Sequence, residues 1–400
     1  MKRRILFVDD ELSVLQALQR ALRTRRDQWE MEFTISAEDA LILMESSHFD
    51  AVVTDIRMPG MDGVQFLMEV MNRYPHTLRF VLSGQSTNEA VVKTVLPAHQ
   101  FVTKPCEAET LLAMVAHALE TRDRFLDPGL RKLLPCLRVV PTLPNLYLQV
   151  IAATQDPNSS LKKIGELIAQ DLSMSAEVLK LVNSAFFGLR RYVSDPVEAV
   201  TLLGLDAIRS LMLLFGAFSQ LSDHQSSALC ISPKSLRNHS LGVASRASAA
   251  AKVLDMKRAE ADEAFVAGLF HDLGRLVLAV NLPDEYRIAY LTALKRKAPL
   301  IQTEQSIFGT THASVGACIL GMWGFSDAVV EACAFHHAPD RCRPEFAPWV
   351  MAVHIADALV HRANPDGRPS LYGDLDEQMV ARHGMEELVT SAQDSDAYLI

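Results

Sequence analysis

Three aspartates lie at the ends of short apolar runs near the start of the chain. Asp9 and Asp10 follow the run Ile5–Val8, and Asp55 follows the run Ala51–Thr54. In an open parallel sheet, side chains at the carboxyl ends of the strands share one edge, where such sheets bind ligands. Three carboxylates at one edge repel one another unless a cation lies between them, and an all-oxygen set suits Mg²⁺. The spacing therefore predicts a magnesium site.

A hydroxyl and an ammonium group are expected beside these acids. Ser83 follows the run Arg79–Leu82, and Lys104 follows the run Phe101–Thr103. Strands of the same parallel sheet would bring both side chains to the edge that carries the aspartates. The sequence thus predicts a single pocket that contains carboxylates, a lysine and a serine.

A second set of metal-ligand residue types occurs in the later part of the chain. Its members, in chain order, are His239, His271, Asp272, His312, His336, His337 and Asp357. Imidazoles and carboxylates that converge inside a helical bundle form a site for Fe, Mn or Zn. One histidine on an apolar helix is more often a hydrogen-bonded core residue, so the hypothesis depends on the joint pattern. His354 and His361 flank Asp357 and are interpreted as spectators or as partners of the ligands.

The elements that must position these residues differ between the two parts of the chain. Over residues 1–121, β-rich runs alternate with amphipathic segments, which predicts a mainly parallel α/β sheet covered by helices. The runs are Ile5–Val8, Met31–Ile35, Ala51–Thr54, Arg79–Leu82 and Phe101–Thr103. Leucines 15, 18 and 22 share one helical face, and so do Leu112, Val115 and Leu119, so both stripes are expected to cover the sheet.

The pattern changes after residue 121. Residues 122–140, with Asp127-Pro128-Gly129, predict a partly helical linker, and residues 141–362 have helical periodicity and predict an all-α domain. Residues 363–400 predict a tail that is partly helical or disordered, with a short helix around Leu375–Val389.

Composition limits the class of protein. The 400 residues carry a formal net charge of −9, and the hydrophobic fraction of 49% with 22% charged residues excludes a mainly disordered chain. The acidic balance and the lack of a basic recognition helix argue against a DNA-binding transcription factor. The six cysteines include no C-x-x-C pair, which fits a reducing cytoplasm. Acidic residues end the first apolar run too early for a signal peptide, and charged residues interrupt the later apolar runs before they could span a bilayer. We therefore expect a cytoplasmic protein without a membrane partner.

The N-terminal motifs resemble those of a two-component response-regulator receiver domain. The matching elements are Asp9-Asp10, Asp55 with Met58-Pro59-Gly60, Ser83-Gly84 and Lys104-Pro105. The resemblance implies a flavodoxin-like (βα)5 fold with Asp55 as phosphoacceptor. It also implies that Asp9, Asp10 and Asp55 hold Mg²⁺ and that Lys104 contacts the phosphoryl group. A carboxylate can accept a phosphoryl group in line when a metal ion and a lysine neutralise the equatorial oxygens.

Ser83 and Phe101 are the candidate switch residues in this resemblance. A hydroxyl drawn towards the acyl phosphate would vacate space that Phe101 could fill by changing rotamer. Many family members have tyrosine at the position of Phe101, so packing without a hydroxyl contact is expected to carry the switch here.

The helical part resembles the HDOD family, a helical output module related to the HD phosphohydrolases. The segments that carry the resemblance are Leu143-Pro144, residues 164–171, residues 182–188 and residues 201–205. The histidine and aspartate set also resembles the metal ligands of HD-type phosphohydrolases, in which Asp272 would bridge two ions. Two departures argue against cyclic-di-GMP hydrolysis: Arg275 replaces the usual lysine, and no Gly-Tyr-Pro element follows His336-His337.

Two functions remain open at this point. The leading hypothesis is a response regulator in which phosphorylation of Asp55, by a sensor histidine kinase or a small phosphodonor, controls a helical signalling module with a downstream protein partner. The alternative is a phosphorylation-controlled dinuclear-metal phosphodiesterase that acts on a cyclic dinucleotide or a related nucleotide. A homodimer is compatible with either function.

Overall fold

The protein is described from a computed structural model that divides into two units. One unit comprises Met1–Arg138 with Cys318–Phe325, and the other comprises Val139–Ala317 with Ser326–Ile400. The described residues are 2–83, 98–104, 108–137, 150, 153–154, 159–170, 174–175, 178–179, 182, 193–205, 208–209, 211–212, 232–363, 375 and 377–382.

A five-stranded parallel sheet forms the centre of the first unit. Its strands are β1 (Arg3–Val8), β2 (Trp29–Thr34), β3 (Ala51–Asp55), β4 (Leu78–Ser83) and β5 (Gln100–Thr103). They are arranged in the order β2-β1-β3-β4-β5, and Val8 pairs with Thr54 in the register of β1 and β3. Asp9 follows β1 and Asp55 is the last residue of β3, so the two aspartates lie side by side at the end of neighbouring strands. The predicted α/β fold is confirmed.

Helices accompany the strands of this unit. They are α1 (Leu12–Ala21), α2 (Ala37–Ser46), α3 (Gly63–Arg73), α4 (Ala108–Phe125) and α5 (Pro128–Leu133). In the predicted stripes, Leu15, Leu112, Val115 and Leu119 are buried, as is Leu22 in a 3-10 turn after α1, whereas Leu18 is half-buried. Burial of these apolar faces supplies the main stabilisation of helices of this length.

The segment from residue 122 to residue 136 is mostly helical, with a break at Leu126 and Asp127. Helix α4 continues to Phe125, and α5 begins after Asp127, whose side chain accepts a hydrogen bond of 2.7 Å from the Leu130 backbone N–H. Asp127 at the N-cap and Pro128 at the first helical position are the residue types that start helices.

The secondary structure described in the second unit is helical, as predicted. Its helices are α6 (Leu161–Ile168), α7 (Pro196–Leu203), α8 (Pro233–Val253), α9 (Arg258–Phe270), α10 (Leu273–Asn281), α11 (Pro283–Arg296), α12 (Leu300–Phe308), α13 (His312–Met322), α14 (Asp327–Phe335), α15 (Ala347–Ala363) and α16 (Glu377–Arg382). The last five residues of α13 belong to the first unit. Helix α8 packs against α9 and α15, and α14 packs against the same two helices. Chemistry-bearing residues on these elements can therefore converge.

Some predicted features fall outside the described residues. These include Leu143-Pro144, residues 183–188 and most of the segment Leu375–Val389, of which the structure describes the helix α16. Among the helices that the structure describes, none combines the length and hydropathy needed to span a bilayer.

Candidate functional site

Asp9, Asp55 and Lys104 meet at the carboxyl edge of the sheet. The Lys104 ammonium donates a hydrogen bond of 2.7 Å to Asp9 Oδ2 and another to Asp55 Oδ1. Asp9 is 1% exposed, whereas Asp55 and Lys104 are half-buried. The Lys104 ammonium thus forms ion pairs with two carboxylates at the ends of the neighbouring strands β1 and β3.

The local chain also satisfies the second oxygen of each aspartate. Asp9 Oδ1 accepts a hydrogen bond of 3.0 Å from the Glu11 backbone N–H, and Asp55 Oδ2 accepts one of 2.7 Å from the Arg57 backbone N–H. Both bonds span two residues, which is the local bonding that aspartate makes at the start of a turn. Each carboxylate is therefore oriented by the backbone before any ligand arrives.

The charge of Lys104 is stabilised by these contacts. Burial alone would lower the pKa of its ammonium, but the hydrogen bonds from this group to Asp55 and Asp9 outweigh burial and raise the pKa. Lys104 is consequently a permanent cation at neutral pH. An ammonium group in this position can neutralise negative charge at the edge of the sheet.

The other predicted residues of this pocket are placed less completely. Asp10 is exposed next to Asp9 in the chain. Ser83 ends β4 opposite Thr103 of β5, and Phe101 pairs with Val81, but the side chains of Ser83 and Phe101 lie outside the described residues. The oxygen-only donors of Asp9, Asp10 and Asp55 suit a hard ion such as Mg²⁺.

Gly63 is a residue of this site that the sequence analysis missed. Its N–H donates a hydrogen bond of 2.9 Å to Ile56 O, and a Cβ added to it would lie 2.0 Å from the Asp55 carbonyl oxygen. Only glycine permits α3 to begin this close to the strand that carries Asp55. The sequence shows a glycine after Met61-Asp62, but the sequence around Gly63 does not reveal its close approach to the Asp55 carbonyl oxygen.

A cluster of histidines and aspartates lies in the helical unit. It contains two groups in which one possible metal-ligating atom from each residue lies within 4.8 Å of the others. The first group is Asp272, His312, His336 and His337, and the second is His239, His271 and Asp357. All seven residues of the predicted set are therefore brought together.

Helix ends position most of these ligand candidates. His271 is the C-cap residue of α9 and is followed at once by Asp272, the N-cap of α10. His312 begins α13, and His336 is the C-cap residue of α14. Because ends of α9, α10, α13 and α14 meet here, four helices contribute side chains to one small volume.

Distances connect the two groups. The Nε2 atoms of His239 and His271 lie 3.2 Å apart, and His239 Nε2 lies 3.0 Å from Asp357 Oδ1. In the other group, His312 Nε2 lies 3.3 Å from Asp272 Oδ1 and 3.1 Å from His337 Nε2. Asp272 Oδ2 lies 3.7 Å from His271 Nε2, which places Asp272 between the groups.

Two of the cluster's histidines have their Nδ1 atoms bonded to backbone carbonyls outside the cluster. His271 Nδ1 lies 2.7 Å from Gly268 O, and His336 Nδ1 lies 2.8 Å from Cys333 O. A carbonyl oxygen only accepts, so each Nδ1 carries the proton and each Nε2 presents a lone pair to the cluster. This second-sphere bonding is typical of metal-ligating histidines.

His336 supplies the test of whether a metal fits. Its Nε2 is fully buried and has no hydrogen-bond partner among the described residues. A buried unpaired nitrogen is unfavourable, and a metal ion bound by this nitrogen would remove the deficit. The mixed nitrogen and oxygen donors suit Fe, Mn or Zn better than Mg²⁺.

Burial favours the neutral form, which is the form that binds metal, in three of the cluster's histidines: His239, His336 and His337. Burial, followed by the neighbouring imidazoles, lowers the pKa of His336 and lowers that of His337 to about 3. Burial also lowers the pKa of His239, whereas the pKa of His271 is raised because the Asp272 and Asp357 carboxylates outweigh burial. Neutral imidazoles bind a cation without first releasing protons.

Glu304 is a second residue that the sequence analysis missed. It is fully buried, and its Oε2 accepts hydrogen bonds of 2.6 Å from His312 Nδ1 and 2.9 Å from the His312 backbone N–H. A carboxylate on Nδ1 fixes the imidazole so that Nε2 faces Asp272. Glu304 lies in α12 and His312 begins α13, with a turn between the two helices. The spacing of eight residues therefore follows no helical periodicity from which this contact could be predicted.

His354 and His361 contact the cluster's members. His354 Nδ1 lies 2.7 Å from His336 O, and His361 Nε2 lies 3.0 Å from Asp357 Oδ1. They are placed as partners of the candidate ligands, one of the two interpretations that the sequence allowed.

Comparisons with known proteins find two different domains in the chain. The profile of the response regulator receiver domain matches residues 5–116, and the profile of the HDOD domain matches residues 140–339. An uncharacterized protein of Treponema pallidum is 28% identical over 225 residues, which are 55% of this chain and 42% of that protein. The response regulator protein FleR of Pseudomonas aeruginosa is 33% identical over 143 residues, which are 34% of this chain and 30% of FleR.

A solved structure supports the helical fold. An HDOD domain protein of unknown function from Geobacter sulfurreducens is 23% identical, covers 68% of this chain and 89% of its own, and has a TM-score of 0.51. At this identity the likeness concerns the fold alone. The chain spans less than half of the length of the Treponema pallidum protein and of FleR.

Proposed function

The chain belongs to the HDOD family and carries a response regulator receiver domain, and from this premise we propose that phosphorylation of Asp55 controls its helical unit. The observation that carries the proposal is the Lys104 ammonium, which contacts Asp9 and Asp55 together. A sensor histidine kinase or a small acyl phosphate would donate the phosphoryl group. The cytoplasm is the compartment we propose for this exchange.

The residues of the pocket have separate tasks in this proposal. An Asp55 carboxylate oxygen attacks the phosphorus, and the leaving group departs on the opposite side. Lys104 neutralises charge on the transferred oxygens, while the Arg57 N–H keeps the carboxylate oriented. Mg²⁺ held by Asp9, Asp10 and Asp55 would supply further charge neutralisation. Ser83 and Phe101 remain the proposed relay towards the rest of the chain.

Transfer of radiolabelled phosphate from acetyl phosphate to the full-length chain tests this proposal. Wild type with Mg²⁺ should acquire an acid-stable, base-labile label that is lost in Asp55→Asn. Asp27→Asn is the matched control, because Asp27 is an exposed aspartate that precedes β2 at the other end of the strands. Label that persists in Asp55→Asn would refute the assignment.

Output is tested separately from phosphoryl transfer. If phosphorylation controls the helical unit, a beryllofluoride mimic with Mg²⁺ should change hydrogen exchange in residues 232–363 of the wild type and leave that of Asp55→Asn unchanged. Equal exchange with and without the mimic would show that the receiver does not control the helices.

A second candidate function is metal-dependent phosphodiester hydrolysis in the helical unit. The buried His336 Nε2, which has no hydrogen-bond partner among the residues that the structure describes, favours metal binding within this set of ligand types. The proposed ligands are His239, His271, Asp272, His312, His336, His337 and Asp357, and the ion would be Fe, Mn or Zn. Such ions supply charge stabilisation and an activated water when bound.

Comparing the wild type with a double variant distinguishes a signalling module from a phosphodiesterase in the helical unit. Metal content and hydrolysis of bis(4-nitrophenyl) phosphate should be measured in wild type and in His271→Ala with Asp272→Ala. Bound metal without hydrolysis supports a signalling module with a structural or regulatory ion. Hydrolysis that the double substitution abolishes supports the phosphodiesterase, and wild-type metal content no higher than that of the double variant refutes the metal site.

A further inference from the structure

Arg275 occupies a buried position beside the proposed bridging aspartate. It lies one turn after Asp272 at the start of α10, is 5% exposed, and its Nη1 donates a hydrogen bond of 2.7 Å to Asp272 Oδ2. Its Nε lies 3.3 Å from the hydroxyl of the fully buried Tyr286. The guanidinium is therefore anchored at two points and directed at the cluster.

The two oxygens of Asp272 have different neighbours. Oδ1 lies 3.3 Å from His312 Nε2 in the four-residue group, while Oδ2 bonds to Arg275. Oδ2 is also the oxygen nearer to the second group, at 3.7 Å from His271 Nε2 and 3.8 Å from His239 Nε2. A bridge between two ions would need Oδ2 for the second ion, and Arg275 already holds that oxygen.

The net charge of the buried groups also favours one divalent ion over two. The buried carboxylates Asp272, Asp357 and Glu304 carry three negative charges and the buried Arg275 carries one positive charge. Histidines that bind a metal ion are neutral, so the net charge of these groups in the metal-bound state, before the ion is counted, is −2. One divalent ion brings these groups to zero. A second ion would leave two uncompensated positive charges in a buried volume, which is strongly unfavourable.

We infer that the Arg275 guanidinium takes the place of a second cation, so that the cluster binds one divalent ion tightly and a second only weakly. The tight ion belongs to Asp272, His312, His336 and His337, because this group has four donors and includes the unpartnered His336 Nε2. The weak position belongs to His239, His271 and Asp357. The inference rests on the metal binding proposed above and deepens it by setting the stoichiometry.

The inference has a functional consequence. Hydrolysis by two ions that share one carboxylate is disfavoured here, because the Arg275 guanidinium already bonds to Asp272 Oδ2. A single ion that ties α10, α13 and α14 together fits a signalling module better than a dinuclear hydrolase.

Mn²⁺ binding to the full-length chain tests the inference. Chelator-treated protein is dialysed against Mn²⁺ with excess Mg²⁺, and the Mn²⁺ bound to His271→Ala with Asp272→Ala is subtracted to remove binding elsewhere. Wild type should retain one ion per chain with a six-line electron paramagnetic resonance spectrum. Arg275→Met should bind the second ion at least ~10-fold more tightly and give the spectrum of a coupled pair. Arg275→Lys keeps the charge and should stay near one ion.

The outcomes separate this inference from the proposal beneath it. Two equally tight ions in wild type, or an unchanged second affinity in Arg275→Met, would overturn the role of Arg275 while leaving the metal site intact. No Mn²⁺ above the double-variant background in wild type would overturn the metal site and this inference with it. The wild-type spectrum decides the stoichiometry even if Arg275→Met does not fold.

Discussion

Replacing Glu304 tests whether a buried carboxylate orients the metal site. Glu304→Ala leaves the His312 N–H and Nδ1–H without their acceptor. Each buried donor left unpaired costs ~1–3 kcal/mol, so the loss should be ~2–6 kcal/mol of unfolding free energy, at the upper end if the cavity does not collapse. Metal affinity should fall by ~10–100-fold, since His312 is then free to rotate or change tautomer.

Glu304→Gln refines the test because its amide oxygen can still accept from His312. Only the charge is lost, so the expected destabilisation is smaller, ~1–2 kcal/mol. Gln305→Ala on the exposed face of the same helix is the matched control and should change stability by less than ~0.5 kcal/mol. Urea unfolding of the metal-free chain and Mn²⁺ dialysis provide the two readouts. If Glu304→Ala and Gln305→Ala gave equal midpoints and affinities, the proposed role of Glu304 would be wrong.

Three further predictions concern other parts of the molecule. Lys104→Ala should reduce phosphoryl labelling by ~10²-fold and make stability depend more steeply on Mg²⁺, because Asp55 then faces Asp9 without the shared ammonium; labelling at the wild-type level would contradict this. Gly63→Ala should destabilise the chain by ~1–3 kcal/mol in urea, whereas a Cβ at Gly242 meets only ordinary contacts and Gly242→Ala should be neutral or stabilising. The pKa of His337 is lowered from 6.5 to about 3, mainly by burial, so below pH 6.5 the unfolded chain binds more protons than the folded chain. The unfolding free energy of the metal-free chain should therefore fall as pH drops from 7 to 5.5, and an undiminished slope in His337→Gln would refute this assignment.

The receiver fold and most of its pocket could be predicted because strand ends are encoded locally. Asp9 and Asp55 each follow an apolar run, and parallel pairing of β1 with β3 then forces them together. Gly63 could not be assigned in this way, since its need for a bare Cα arises from the approach of α3 to the Asp55 carbonyl. That approach is a tertiary distance rather than a sequence pattern.

The helical cluster could be predicted as a set of residue types but not as an arrangement. The order of histidines and aspartates indicated convergence, yet nothing in the sequence assigned them to two groups. The sequence showed Arg275 as a departure from the related phosphohydrolases, and only the structure places its guanidinium on Asp272 Oδ2. Glu304 and His312 belong to different helices, so their hydrogen bond depends on the turn between α12 and α13.

The central claim is that this chain has two separate cation sites, one beside the phosphoacceptor and one among the histidines. Anomalous diffraction from crystals of the full-length protein grown with Mn²⁺ tests it most directly. We predict one peak among Asp9, Asp10 and Asp55 and a second among Asp272, His312, His336 and His337. A map in which either position lacks anomalous density at saturating Mn²⁺ would contradict the claim.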